Sequence, residues 1–151
     1  MKNSSCLFIV EDNDDDYEAC LTALMQGNPV AIPITRCVSG CEALDFLHAR
    51  GRYAGTALQV PSLVLLDLNL PGCDGHDVLA EIKSASSLKQ IPVVVMTSSQ
   101  DSVDIDACYG AGANSYIVKP GNLDGFFKTI AMLKAYWFHT SHLPASMSRS
   151  A

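Results

Sequence analysis

No apolar run in this chain approaches the ~20 residues that a helix needs to cross a bilayer, so no membrane span is expected. A secretory leader is missing too: Cys6 to Val10 is only five apolar residues and leads straight into Glu11 and Asp12. A cytoplasmic protein without membrane contact is therefore the expectation. The six cysteines (Cys6, Cys20, Cys37, Cys41, Cys73 and Cys108) contain no Cys-x-x-Cys pair, and Cys37 and Cys41 stand apart from other ligand types, which argues against a zinc site. Without a leader, all six read as free thiols that mostly fill a core as small apolar residues. Basic residues are few. Ten Lys and Arg face 16 Asp and Glu, and the net charge of −6 argues against nucleic-acid binding. Neither an internal repeat nor a low-complexity linker divides the chain.

What is present fits one folded domain. Charged residues make up 17% and apolar residues 48% of 151, enough chain for one sizeable core and too apolar for disorder. Five acids crowd one segment, Glu11, Asp12, Asp14, Asp15 and Asp16, and repel one another unless a cation or a helix dipole compensates them. Strand-like apolar runs alternate with amphipathic stretches. The strands are expected over Cys6–Val10, Ile32–Val38, Leu63–Asp67, Pro92–Thr97 and Ser115–Val118, the second at an edge because Pro33 lies near its start. The helices are expected over Tyr17–Gln26, Cys41–Ala49, Gly75–Ser84, Asp101–Ala111 and Leu123–Phe138. Gly51 to Pro61 reads as a long connection. Such alternation implies an α/β fold: a doubly wound five-stranded parallel sheet with helices on both faces. The domain is expected over residues 1–138, followed by a polar, loose tail over 139–151 and no output domain.

In the strand order 2-1-3-4-5, the carboxyl ends of the first and third strands are neighbours, and that edge is where open parallel sheets bind ligands. Glu11, Asp12 and Asp67 would converge there. Three close carboxylates raise one another's pKa values, and a hard divalent cation relieves the repulsion. Magnesium suits such a site because it takes one or two carboxylates and leaves positions open to phosphate oxygens. Thr97 closes the fourth strand with a hydroxyl, and Lys119 follows the fifth with a fixed positive charge. Together these residues make a phosphoryl-transfer set with Asp67 as nucleophile. Each is an ordinary cap or turn residue when taken alone; their joint placement at successive strand ends is what points to chemistry. His48, His76, His139 and His142 show no paired spacing and read as surface or packing residues, while Arg50, Arg52 and Tyr53 are either solvated or available to a partner.

The acidic pair Glu11-Asp12, the segment LLDLNLPGCDG, the strand PVVVMTSS and the segment GANSYIVKP together resemble a two-component response-regulator receiver domain over residues 5–137. The segments EDNDDDYEA, ALDFLHARGRYA, TSSQ and AYWF further resemble single-domain regulators paired with bacterial phytochrome histidine kinases. The resemblance implies the flavodoxin-like receiver fold, with Asp67 as phosphoacceptor. Asp12 would be a direct Mg2+ ligand, Glu11 would act through water, and Asn69 would offer its backbone carbonyl. Thr97 and Tyr116 would form the switch, and the Lys119-Pro120 bond would be cis. Asp14 stands where many relatives carry Pro, and Gly121 where a larger residue is common.

A histidine kinase, of the phytochrome type, is the implied partner. Output would pass through the fourth helix, fifth strand and fifth helix. Since Tyr136, Trp137 and Phe138 are consecutive and cannot all face one core, at least one should be exposed, and a homodimer is expected through Phe127, Tyr136, Trp137 and Phe138. Two other readings carry less. A haloacid-dehalogenase-type phosphatase needs a second acid two residues after the nucleophile, where this chain has Asn69. A pseudo-receiver would bind partners without phosphorylation, yet every acceptor-site residue is present.

Overall fold

The structure, a computed structural model, describes residues 5–56 and 60–144. Five strands form one parallel sheet in the order β2-β1-β3-β4-β5: β1 (Ser5–Val10), β2 (Ile34–Cys37), β3 (Val60–Leu66), β4 (Val93–Thr97) and β5 (Ser115–Val118). The helices are α1 (Asp14–Met25), α2 (Gly40–Leu47), α3 (Gly75–Ser84), α4 (Ser102–Gly110) and α5 (Leu123–His139). A single 3-10 turn lies at Gly51–Tyr53. The expected topology is therefore the observed one.

Alternation along the strands divides the core in two, because successive side chains point to opposite faces. Cys6, Phe8 and Val10 of β1, Val64 and Leu66 of β3, and Val93 and Val95 of β4 pack with α2, α3 and Cys108 of α4. Leu7, Ile9, Leu63, Leu65, Val94 and Met96 pack on the other face with α1 and α5. Helices cover both faces, so the central strands carry no polar alternation and read as unbroken apolar runs. Polar caps start the helices. Asn13 caps α1 by accepting from the Asp16 amide at 2.9 Å, and Asp14, Asp15 and Asp16 form its first turn, so the helix starts three residues before the expected Tyr17. Asp74 and Asp77 form a reciprocal capping box at α3.

Three expectations are corrected here. β3 begins at Val60, inside what the sequence presents as connection, and ends at Leu66, so Asp67 is the first residue beyond it. Pro61 has no N–H for a central ladder. It is accommodated where the pairing slips, with Cys6 opposite Pro61 but Leu7 opposite Leu63. The chain after Phe138 is not loose up to Pro144: His139 completes α5, the Thr140 and Ser141 amides both donate to the Tyr136 carbonyl, and Leu143 packs on the α1–α5 core. The rest of the expected tail, 145–151, lies outside the described residues. Finally, Cys41 and Cys73 form a disulfide, whereas Cys6, Cys20, Cys37 and Cys108 are buried and outside any disulfide, as expected. Their separation of 32 residues gives no local signal; the pair meets only because the first turn of α2 packs against the β3–α3 loop. Among the described residues, no helix is long and apolar enough to cross a membrane.

Candidate functional site at the carboxyl edge of the sheet

The strand ladders run one residue past the strands and so fix the site. The Glu11 amide donates to the Cys37 carbonyl, the Asp67 amide to Val10 and the Lys119 amide to Thr97. Backbone pairing thus brings these three side chains to one edge. Gly75 closes the arrangement from below, because a Cβ there would collide with the Asp67 carbonyl oxygen. Only glycine lets the first residue of α3 sit against the Asp67 backbone.

Lys119 is the hub. Its Nζ lies 2.6 Å from Glu11 Oε1, 2.8 Å from Asp67 Oδ2 and 2.8 Å from Asp16 Oδ2. The second oxygens of Asp67 and Glu11 also have donors: Asn69 N–H to Asp67 Oδ1 at 3.1 Å, and Asn13 N–H to Glu11 Oε2 at 3.2 Å. Glu11 and Asp67 are buried, at 6% and 7% exposure. Burial pushes the Glu11 carboxyl up to about 7, and the neighbouring Asp67 charge adds to this, against the opposing bond from Lys119. Burial also disfavours the charged Lys119, yet its bonds to Asp16, Asp67 and Glu11 outweigh that and hold its pKa above the ordinary value. One ammonium does not balance three carboxylates, so the pocket keeps an excess of negative charge.

That excess faces outward. Asp12 and Asn69 are exposed at the mouth of an open pocket of about 660 Å³, whose lining also includes Asp14, Asp15, Asp67, Ser98 and Lys119. Glu11, Asp12 and Asp67 each offer a carboxylate oxygen within 4.8 Å of the others. An all-oxygen donor set with an open side and surplus negative charge fits a hard divalent cation such as Mg2+. Glu11, Asp12, Asp67 and Asn69 are the residues that would hold it.

Thr97 is completely buried at the end of β4, and its Oγ1 is the buried side-chain atom without a hydrogen-bond partner among the described residues. Such an orphan is costly unless a ligand meets it. Tyr116 is half-buried against the α2–α4 core, and its hydroxyl donates to the Ser99 carbonyl at 3.0 Å. Ser99 Oγ in turn donates to Asp104 at 2.6 Å, which His76 meets at 3.1 Å. His76 therefore has a hydrogen-bond partner that its sequence neighbours do not suggest. Arg52 and Tyr53 are both bonded to Glu42, so they are tied down rather than freely solvated.

The Lys119-Pro120 bond is trans, since no cis peptide occurs among the described residues, and the expectation of a cis bond is corrected. Trans is the lower-energy form of an X–Pro bond by about 0.5–1 kcal/mol. Lys119 reaches all three carboxylates with the bond in that form. On α5, Tyr136 is 55% exposed, whereas Phe127, Trp137 and Phe138 pack partly on the α1–α5 core.

Two site residues escape a reading of the sequence. Asp16 belongs to the acid run but completes the carboxylate shell of Lys119. Arg36 on β2 braces the acidic loop: its Nε donates to the Glu11 carbonyl at 3.0 Å, its guanidinium meets Asp14 at 2.8 Å, and it stacks 4.3 Å from the Tyr17 ring centre. A lone cation on an edge strand beside an acid cluster is the signal that could have identified it.

Residues 7–131 match the family described as Response regulator receiver domain. The response regulator Rcp1 of Synechocystis sp. is 36% identical over 140 residues, covering 93% of both chains. A crystal structure of phosphorylated RcpA, a cyanobacterial phytochrome response regulator, superposes with a TM-score of 0.86 at 39% identity, covering 95% of this chain and 100% of that one. The Mn2+-bound form of Rcp1 superposes with a TM-score of 0.88 at 37% identity, covering 93% and 99%. This chain belongs to the response regulator receiver family, whose members are signalling phosphoacceptors and not conventional enzymes.

Proposed function

We propose that this receiver accepts a phosphoryl group on Asp67 from a histidine kinase of the phytochrome type, with Mg2+ bound in the acidic pocket. The observation that carries the reading is the placement of Asp67: a buried carboxylate at the sheet edge, held by Lys119 and the Asn69 amide and facing the open acidic pocket. In the transfer, an Asp67 oxygen attacks the phosphorus of the kinase phosphohistidine. The P–N bond breaks, an acyl phosphate forms, and the electron pair returns to the imidazole. A bound divalent cation would supply charge neutralisation for the carboxylates and the incoming phosphoryl oxygens. Lys119 supplies a fixed positive charge 2.8 Å from Asp67 Oδ2, and the unpartnered Thr97 hydroxyl has a hydrogen bond to give to a phosphoryl oxygen.

Thr97 and Ser99 lie on the same segment, and Ser99 holds the Tyr116 hydroxyl. Movement of Thr97 toward a phosphoryl group therefore acts on Tyr116 and on the surface of α4, β5 and α5. The kinase assignment draws on similarity to RcpA, described as a phytochrome response regulator. For self-association, the exposed side chains of α5 favour Tyr136 with Met132 and Leu123, since Phe127, Trp137 and Phe138 already spend much of their surface on the chain's own core.

The test is phosphotransfer in Mg2+ from an autophosphorylated phytochrome-type histidine kinase. Wild type should take up label while Asp67→Asn stays unlabelled. Equal labelling of the variant would overturn Asp67, and labelling by unrelated kinases at an equal rate would overturn the phytochrome pairing. Sedimentation with and without a phosphate mimic tests self-association: a monomer at micromolar concentration in both conditions would reject it.

A further inference from the structure

The Cys41–Cys73 bond lies outside the phosphoryl chemistry but beside it. Cys41 is exposed in the first turn of α2, and Cys73 is half-buried in the loop between β3 and α3. That loop carries Asn69 at the pocket mouth and ends at Asp74, the cap of α3. Cys73 is thus six residues beyond Asp67 and one before the cap. The two segments touch closely around the sulfurs. A Cβ on Gly40 would collide with the Cys73 carbonyl oxygen, and the Cys73 amide lies 3.1 Å from Cys41 Sγ. The four cysteines outside this bond are all buried, so the accessible thiol chemistry of the described residues is confined to this pair.

We propose that Cys41 and Cys73 are a reversible dithiol–disulfide modification site, and that oxidation tethers the tip of the acceptor loop to α2. The co-reactant is a low-molecular-weight disulfide of the glutathione type. Cys41 is the attacking sulfur, since the N-terminal turn of a helix and a facing amide favour the thiolate. It attacks one sulfur of the co-reactant, whose S–S bond breaks; a mixed disulfide forms and one thiol departs with a proton. Cys73 then loses its proton and attacks the Cys41 sulfur, releasing the second thiol. Two protein thiols are oxidised and one small disulfide is reduced to two thiols. A dithiol reductant reverses the sequence. The tether fixes the loop that presents Asn69, so the oxidised protein binds Mg2+ more tightly than the reduced one. This coupling rests on the acceptor-site reading above, whereas the thiol chemistry does not.

The test uses the full chain and two independent readouts. After exposure to oxidised glutathione and unfolding in N-ethylmaleimide, intact mass should show four adducts, and six after dithiothreitol. Six adducts without reductant would overturn the site. Calorimetric titration with Mg2+ alone should then give at least a threefold tighter affinity for the oxidised form. Cys41→Ser and Cys73→Ser should each keep the reduced-state affinity whatever the oxidant. Equal affinity in both states would overturn the coupling and leave a static cross-link. Labelling by acetyl phosphate in both states is a separate arm: loss of labelling with the thiol response intact would reject the phosphoacceptor reading alone.

Discussion

Glu11 and Asp12 are adjacent in the chain, yet they occupy the two halves of the acidic pocket. Glu11 belongs to its floor, with Asp67 and Lys119: buried, backbone-fixed by ladder bonds, and internally paired. Asp12 belongs to its rim, with Asn69: exposed and without the lysine contact that the floor acids have. The difference follows from position: the Glu11 amide still pairs with the Cys37 carbonyl directly after β1, whereas Asp12 is one residue further out. The floor needs its internal pairing in order to fold, while the rim carries surplus charge that a cation would satisfy. Stability and ligand affinity should therefore separate cleanly between the two halves.

The largest effect is expected at the hub of the floor. Lys119→Met leaves Glu11 and Asp67 buried without their cation, at a cost of about 3 kcal/mol. The urea midpoint should fall accordingly, and a loss below about 1 kcal/mol would break the distinction between floor and rim. Asp12→Asn should do the reverse. Its unfolding free energy should stay within about 0.5 kcal/mol of wild type, as for most surface changes. Its Mg2+ affinity should fall about tenfold or more, in line with other changes around metal ligands. The smallest effect concerns protons. Glu11 is pushed up to about 7 by burial, so below that pH a proton must leave before a cation gains the carboxylate. Mg2+ affinity should rise about threefold between pH 6.5 and 7.5 and level off above, the change expected for one proton competing with the cation. In metal-free protein the sign is opposite for stability: the raised Glu11 contributes fully below its ordinary value of 4.5, and that contribution is lost as pH rises toward 7. A Mg2+ affinity flat across this window would place the proton elsewhere.

What the sequence conceals has physical reasons at particular residues. The runs at β1, β4 and β5 are legible because period and turn chemistry are local, and the strand order is legible only as the one typical of five-stranded doubly wound sheets. The site edge is legible because Glu11, Asp67, Thr97 and Lys119 each follow or close an apolar run. The start of β3 is not, since Pro61 argues against a central strand and only the slipped register admits it. The roles of Asp16 and Arg36 depend on how α1 and β2 pack against the edge, and the Cys41–Cys73 pair depends on α2 meeting a loop. Each is a tertiary contact with no periodic signature. Leu143 packs beneath a segment whose composition reads as solvent-loving, and a single apolar side chain does not outweigh its polar neighbours in such a reading.

Asp67, seated on the paired floor, is the phosphoacceptor proposed above. Incubation with acetyl phosphate and Mg2+, followed by intact-mass and peptide analysis, tests it most directly. One phosphoryl group should appear, dependent on Mg2+, on the peptide that contains Asp67, and it should be absent from Asp67→Asn. A protein that takes no phosphoryl group, or one that is labelled equally in Asp67→Asn, would contradict the account.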